Sequence, residues 1–268
     1  MNELSFIIVT CGTNDHNVQP VVDSIQDLNI PKFEIIIVGG QSTTLTGKNL
    51  IHVPFDETLK HRAWITKKKN LGVKHSKYDV VVIQHDYYKF DPDWYEEYVK
   101  FGEDWDICIP ITFHSADQGN MRANGWRIHG KAPGYSELPD CMCVPSDIDC
   151  FVPYMTLPGG LWIAKKWVML AEPLDENLIH GDPEDAEWSS RIVPGWMGKQ
   201  DDVVRFRIVS NSKCITRLTK FKPFYPGNPD WIALEKYFEP LWESLRNGYR
   251  RSGVYHYDSK AGKVVLTK

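Results

Sequence analysis

The chain has 268 residues, 42% hydrophobic and 12% aromatic, which is enough to bury a sizeable core without disulfides or metals. Lys and Arg number 31 against 35 Asp and Glu, a net charge of −4, so no global positive field recommends a nucleic acid or an anionic membrane as partner. No apolar run approaches the roughly 20 residues that span a bilayer, and the opening MNELSFIIVTCGTND reads as neither signal peptide nor anchor, so a soluble, cytoplasmic protein is expected.

One domain over 1–268 is expected, because α/β domains of about 250 residues commonly form a single unit. The six cysteines are few for this length, and Cys11 and Cys108 fall in or beside apolar strands, as reduced thiols do. Cys141, Cys143 and Cys150 lack the paired spacing of a zinc site.

In chain order, Ser5 to Thr10 and Phe33 to Val38 are short β-branched runs, each closed by a Gly-bearing turn. Val18 to Leu28 between them has helical spacing, so the chain opens with a βαβ unit. Asn49 to Pro54 predicts a third strand, Trp64 to His75 a helix and Asp79 to Ile83 a fourth strand. Pro92 to Lys100 predicts a short helix with Asp91 as its N-cap. Near-continuous apolar strands indicate a mostly parallel sheet covered by helices, in which ligands sit beyond the carboxyl ends of the strands. The stretch VVVIQHDYY therefore places Gln84, His85 and Asp86 at a ligand site.

The second half begins with a strand at Trp105 to Ile111. A long Gly- and Pro-rich segment over 112–158 follows, with an Asn-Gly hairpin signal in MRANGWRI, and reads as an acceptor-side loop. Gly159 to Ala164 returns to strand character, Pro183 to Ile192 and Asp230 to Leu245 to helix, and the tail to a hairpin.

Three groups carry chemistry. Asp86 at a strand end, with His85 beside it, can hold a divalent cation whose other ligands are phosphate oxygens and water, or it can cap the next turn. In HGDPEDAEW, Asp182 before Pro183 is a good helix cap and the acids of the first turn suit the macrodipole; Glu184 or Asp185 can equally be presented as a general base. The run Lys67-Lys68-Lys69-Asn70 is a solvated helix face, or a face able to reach a phosphate held at Asp86.

Taken in order, FIIVT, FEIIIVGGQS, KKKNLGVKHSKYDVVVIQHDY, PGGLWIAKKW and HGDPEDAEWSSR resemble a GT-A-fold glycosyltransferase of the family 2 type, over about residues 4 to 195. The resemblance implies that Asp86 matches the second acid of the family's Asp-x-Asp metal triplet, with Gln84 replacing the first. It implies that Asp185 of the pair Glu184-Asp185 is the catalytic base of inverting enzymes. Donor contacts are implied at Thr10, Gly12, Gly40, Lys68, Lys69, Asn70, Gln84, His85 and Asp86, and acceptor contacts at Gly159, Gly160, Trp162 and Trp188. Mn²⁺ or Mg²⁺ is the implied cofactor, with His256 as a further metal ligand. The partners are a nucleoside diphosphate sugar and a glycan or similar hydroxyl acceptor. The family's acidic turn after the second strand is replaced here by Gly39-Gly40-Gln41-Ser42, so the nucleotide base is unnamed. Rivals are a retaining transferase on the same fold, a nucleotidyltransferase, for which Cys11-Gly12-Thr13-Asn14 is too short a phosphate loop, and a binding module without turnover.

Overall fold

Branched aliphatic side chains fill three central strands and are buried on both faces. In β1 (Glu3–Val9), β2 (Lys32–Val38) and β4 (Val80–His85), residues Ile7, Ile8, Ile36, Ile37, Val81 and Val82 are fully buried, as expected of strands sandwiched between helical layers. The structure, a computed structural model, describes residues 3–12, 15–40, 44–59, 64–114, 157–179, 182, 184–192, 206–216, 255–258 and 263–266.

β1 pairs in parallel with both β2 and β4, and β2 pairs in parallel with β3 (Leu50–Val53). With β5 (Tyr88–Phe90), β6 (Ile107–His114), β7 (Leu161–Lys165) and β8 (Phe206–Thr216), the eight-stranded order is β3-β2-β1-β4-β7-β6-β8-β5. Only β7 and β5 run against the rest, which leaves six of the eight strands in one direction. The expected mostly parallel α/β sheet is present.

α1 (Asp15–Gln26) and α3 (Trp94–Phe101) cover one face, where Val18, Val22, Trp94 and Tyr98 join Phe6, Ile8, Ile35 and Val82 in one core. α2 (Ile65–His75) crosses the other face, so close that a Cβ on Gly72 would stand 2.3 Å from Ile7 Cγ2. α4 (Lys166–Ala171) follows β7 directly, and α5 (Glu184–Ile192) comes later. A separate antiparallel ribbon, β9 (Tyr255–Asp258) with β10 (Lys263–Leu266), is the tail hairpin. Among the described residues no helix is long and apolar enough to cross a membrane.

Two element boundaries expected from the sequence are corrected, and one strand has no counterpart among the expected elements. The fourth strand runs on through Gln84 and His85 rather than ending at Ile83, because both residues continue the ladder with β1 opposite Ile8 and Val9. α3 starts at Trp94 rather than Pro92, because Asp91 forms a turn of its own: its Oδ1 accepts the N–H of Asp93 and its carbonyl that of Trp94. Tyr88–Phe90 forms β5, pairing with β8 from far along the chain, which local pattern could not reveal. The Asn-Gly hairpin, most of the 112–158 segment and the helix expected over 230–245 lie outside the described residues.

Candidate active site

Parallel register builds the site. Val9 lies opposite Val38 on one side and His85 on the other, so the residues that leave these strands, Thr10, Gly39 and Asp86, share one rim. Thr10 Oγ1 donates to Asp86 Oδ2 at 2.9 Å, and the Thr10 N–H to the Val38 carbonyl at 3.0 Å. β7 is antiparallel, so its beginning reaches the same rim: the His85 N–H donates to the Gly160 carbonyl at 3.0 Å.

The turn after β2 lies against the turn after β1. A Cβ on Gly40, where φ is +54°, would come within 2.2 Å of Gly12 Cα, so the second turn can approach the first this closely only with glycine at position 40. Glu57, from the segment after β3, secures this contact. Its Oε1 accepts the Gly40 N–H at 2.8 Å and its Oε2 pairs with Lys68 Nζ at 2.7 Å, while Lys68 also donates to the Thr10 carbonyl at 2.8 Å. Beside it runs an open groove of about 470 Å³, lined by Gly40, Pro54, Phe55, Asp56 and Glu57. No motif pointed to Glu57 in the sequence.

The basic face of α2 is only partly a face. Lys67 is half-buried, its ammonium 4.1 Å from the Trp64 ring centre, whereas Lys68 and Lys69 are buried and already paired. Asn70 is buried too, and clamps Leu174 through both ends of its amide, at 2.9 and 3.0 Å. These three residues belong to the frame of the site.

The acidic pair sits at the start of α5. Asp185 Oδ2 accepts the Gly159 N–H at 3.0 Å and its Oδ1 accepts the Ala186 N–H at 2.8 Å. Glu184 is 7% exposed and faces Lys69, whose Nζ also donates to the Gly159 carbonyl at 2.7 Å. Asp182, expected as the cap of this helix, instead turns its carboxylate back to the Ile179 N–H at 2.8 Å. Thus Gly159-Gly160 ties the two acids together: Gly160 bonds to the residue before Asp86, and Gly159 bonds to Asp185.

Other expected contacts fall inside the protein. Trp162 and Trp188 are 1% and 0% exposed with ring centres 5.4 Å apart, which makes them core rather than a sugar platform. Gln84 is 0% exposed, and neither its Oε1 nor its Nε2 has a hydrogen-bond partner. His85 Nδ1 meets the Tyr87 hydroxyl at 2.9 Å, and burial pushes the Tyr87 phenol well above its ordinary pKa, with Tyr88 and Asp86 adding to the effect. Tyr88 lies over Gly160, where a Cβ would come 2.4 Å from its hydroxyl oxygen. No pattern in the sequence gives either tyrosine a role.

Asp86 suits a Mg²⁺ or Mn²⁺ ion held by one protein carboxylate, with phosphate oxygens and water completing the shell. Gln84, enclosed between the register positions of Ile8 and Leu161, does not suit the place of a second ligand. His256 lies in β9 opposite Val265, in the ribbon apart from the main sheet. Among the described residues no three His, Cys, Asp or Glu side chains converge as a metal cluster.

The sheet order is that of a GT-A glycosyltransferase fold, and solved structures agree. Residues 1–349 of S. aureus TarS match with a TM-score of 0.55 at 13% identity, over 80% of this chain and 60% of that one. The same protein in complex with UDP-GlcNAc matches with a TM-score of 0.56 at 12% identity, over 92% and 71%. GalNAc-T7 with UDP, GalNAc and Mn²⁺ matches with a TM-score of 0.54 at 14% identity, over 91% and 49%. The chain thus spans about 60% of the first of these structures. No family model and no curated protein matches it.

Proposed function

We propose that the protein is a metal-dependent glycosyltransferase that moves a sugar from a nucleoside diphosphate donor to a hydroxyl of a glycan or similar acceptor, with inversion. The observation that carries this reading is the convergence of Asp86 and Asp185 on one rim, linked through Gly159-Gly160. The fold neighbours captured with UDP, UDP-GlcNAc, and UDP with GalNAc and Mn²⁺ support it.

In this reading the base of the donor lies along the groove beside Phe55, and its diphosphate reaches Asp86 past Thr10 and Gly40. A cation held at Asp86 would offset the charge that develops on the departing diphosphate. Asp185 takes the proton of the acceptor hydroxyl as its oxygen attacks the anomeric carbon from the face opposite the diphosphate. Attack from that side inverts the anomeric configuration.

The test is a panel of UDP-, GDP-, CMP- and dTDP-sugars, each with and without Mn²⁺. It is followed first by thermal shift, since a ligand that binds the native state raises its apparent stability, and then by product analysis. One nucleotide should stabilise the protein only with Mn²⁺, and its sugar should be transferred with inverted configuration. Asp185→Asn should keep donor binding and lose about 10²–10⁴-fold in kcat. A product of retained configuration would replace inversion by retention. Binding without any transfer would favour the donor-binding module, a reading to which the amide at position 84 lends weight.

A further inference from the structure

Lys69 is 0% exposed, yet its amino group ends among polar partners. Its contacts are Glu184 Oε1 at 3.3 Å, the Gly159 carbonyl at 2.7 Å and the face of Trp162, 4.7 Å from the ring centre. A diphosphate in the cleft would have to break these contacts to reach it, so the role of donor ligand suits it poorly. Burial pushes its pKa down, while Glu184, and more weakly Asp185, pull it back up. The Lys69 Nζ is thus held between Glu184 and the Gly159 carbonyl.

Both backbone polar groups of Gly159 are engaged at this point. Its carbonyl accepts from Lys69 and its N–H donates to Asp185 Oδ2. A Cβ on Gly159 would lie 2.8 Å from Glu184 Oε1 and 3.2 Å from Asp185 Oδ2, so nothing larger than glycine fits between the acids and the turn. The turn has little freedom of its own. Its direction is set on one side by Lys69 and on the other by the Gly160 carbonyl, which accepts from His85 beside Asp86.

We infer that Lys69 is a positioning residue: by holding the Gly159 carbonyl and Glu184 together it fixes the Gly159 N–H on Asp185, and so sets the direction in which Asp185 faces the acceptor. The inference rests on the proposed function for its consequence in catalysis, but its geometry can be read without turnover. Lys69→Met strands Glu184 as a buried, unpaired acid and is expected to lower the melting temperature. Lys69→Met/Glu184→Gln removes both charges and is the informative variant, because it separates positioning from simple charge pairing.

The measurements are melting temperature, exchange of the Gly159 amide hydrogen, Kd for UDP with Mn²⁺, and kcat and KM with the donor that the panel identifies. In the double variant the melting temperature should recover. Exchange at Gly159 should still rise about tenfold, the protection of roughly one hydrogen bond. The Kd for UDP should stay within twofold, and kcat should fall about a hundredfold, the cost of misplacing a reacting group by roughly 1 Å. Recovery of both kcat and Gly159 protection would reduce Lys69 to a counter-ion and overturn the inference. A rise in the Kd for UDP with kcat unchanged would return Lys69 to the donor site and overturn it equally. If the wild-type protein transfers nothing, the functional reading falls, and increased Gly159 exchange in the double variant still establishes that Lys69 holds the Gly159 N–H on Asp185.

Discussion

Replacing Gln84 by Met should stabilise the protein. The Gln84 side chain lies in β4 between the register positions of Ile8 and Leu161, both fully buried, and neither atom of its amide has a partner. A buried donor or acceptor left unsatisfied costs about 1–3 kcal/mol. Met has a similar length and shape, carries no strong polar group and adapts to irregular gaps, so it removes that cost with little new strain. The net gain should be about 1–2 kcal/mol, a rise of roughly 2–8 °C in melting temperature for a chain of this size. Urea denaturation and thermal melts of the ligand-free protein measure it. A loss of about 1 kcal/mol or more would refute the reasoning, because it would mean that the amide is well hydrogen-bonded in solution. Gln84→Asp provides the opposite control. It puts back the acid of the family's triplet at a position with no exposure, and an unpaired buried carboxylate is strongly destabilising. Burial raises the folded-state pKa of such an acid, so the penalty is full above that value and fades as the pH falls toward the unfolded-state pKa.

Three further outcomes follow from the same contacts. Asp86→Ala should abolish the Mn²⁺-dependent part of nucleotide binding in calorimetry while leaving a folded protein; full affinity in the variant would remove the metal from Asp86. Glu57→Ala leaves the buried Lys68 with the Thr10 carbonyl and the Phe55 ring but no counter-charge among the described residues, and should cost about 3–5 kcal/mol in urea denaturation; a change below 1 kcal/mol would mean that Lys68 swings out to water. Gly72→Ala gains up to about 1 kcal/mol of helix propensity but drives a methyl to 2.3 Å from Ile7 Cγ2, with Val38 Cγ2 3.2 Å away. Overpacking of about 1–3 kcal/mol should outweigh the gain, and unchanged stability would show that α2 can slide on the sheet.

The sequence by itself determined the parallel half of the fold. FIIV, EIIIV and VVVI are runs that only a strand buried on both faces can use, and the helical spacing between them leaves little choice but a βαβ arrangement. It also placed Asp86 and the Glu184-Asp185 pair near their elements' ends, because strand ends and helix starts are legible from local pattern. What it could not decide was direction. Lys67, Lys68 and Lys69 look alike in the sequence, but successive helical residues point about 100° apart, and only the docking of α2 on β1 sends one toward the Trp64 ring, one to Glu57 and one to Glu184. The same holds for Gln84, whose burial depends on two further rungs of pairing with β1 and β7, and for Glu57, which reaches Gly40 only because β3 lies beside β2. Local periodicity reports what each segment forms; which side chains meet depends on the rotation and register of whole elements, and those are fixed by contacts between residues far apart in the chain.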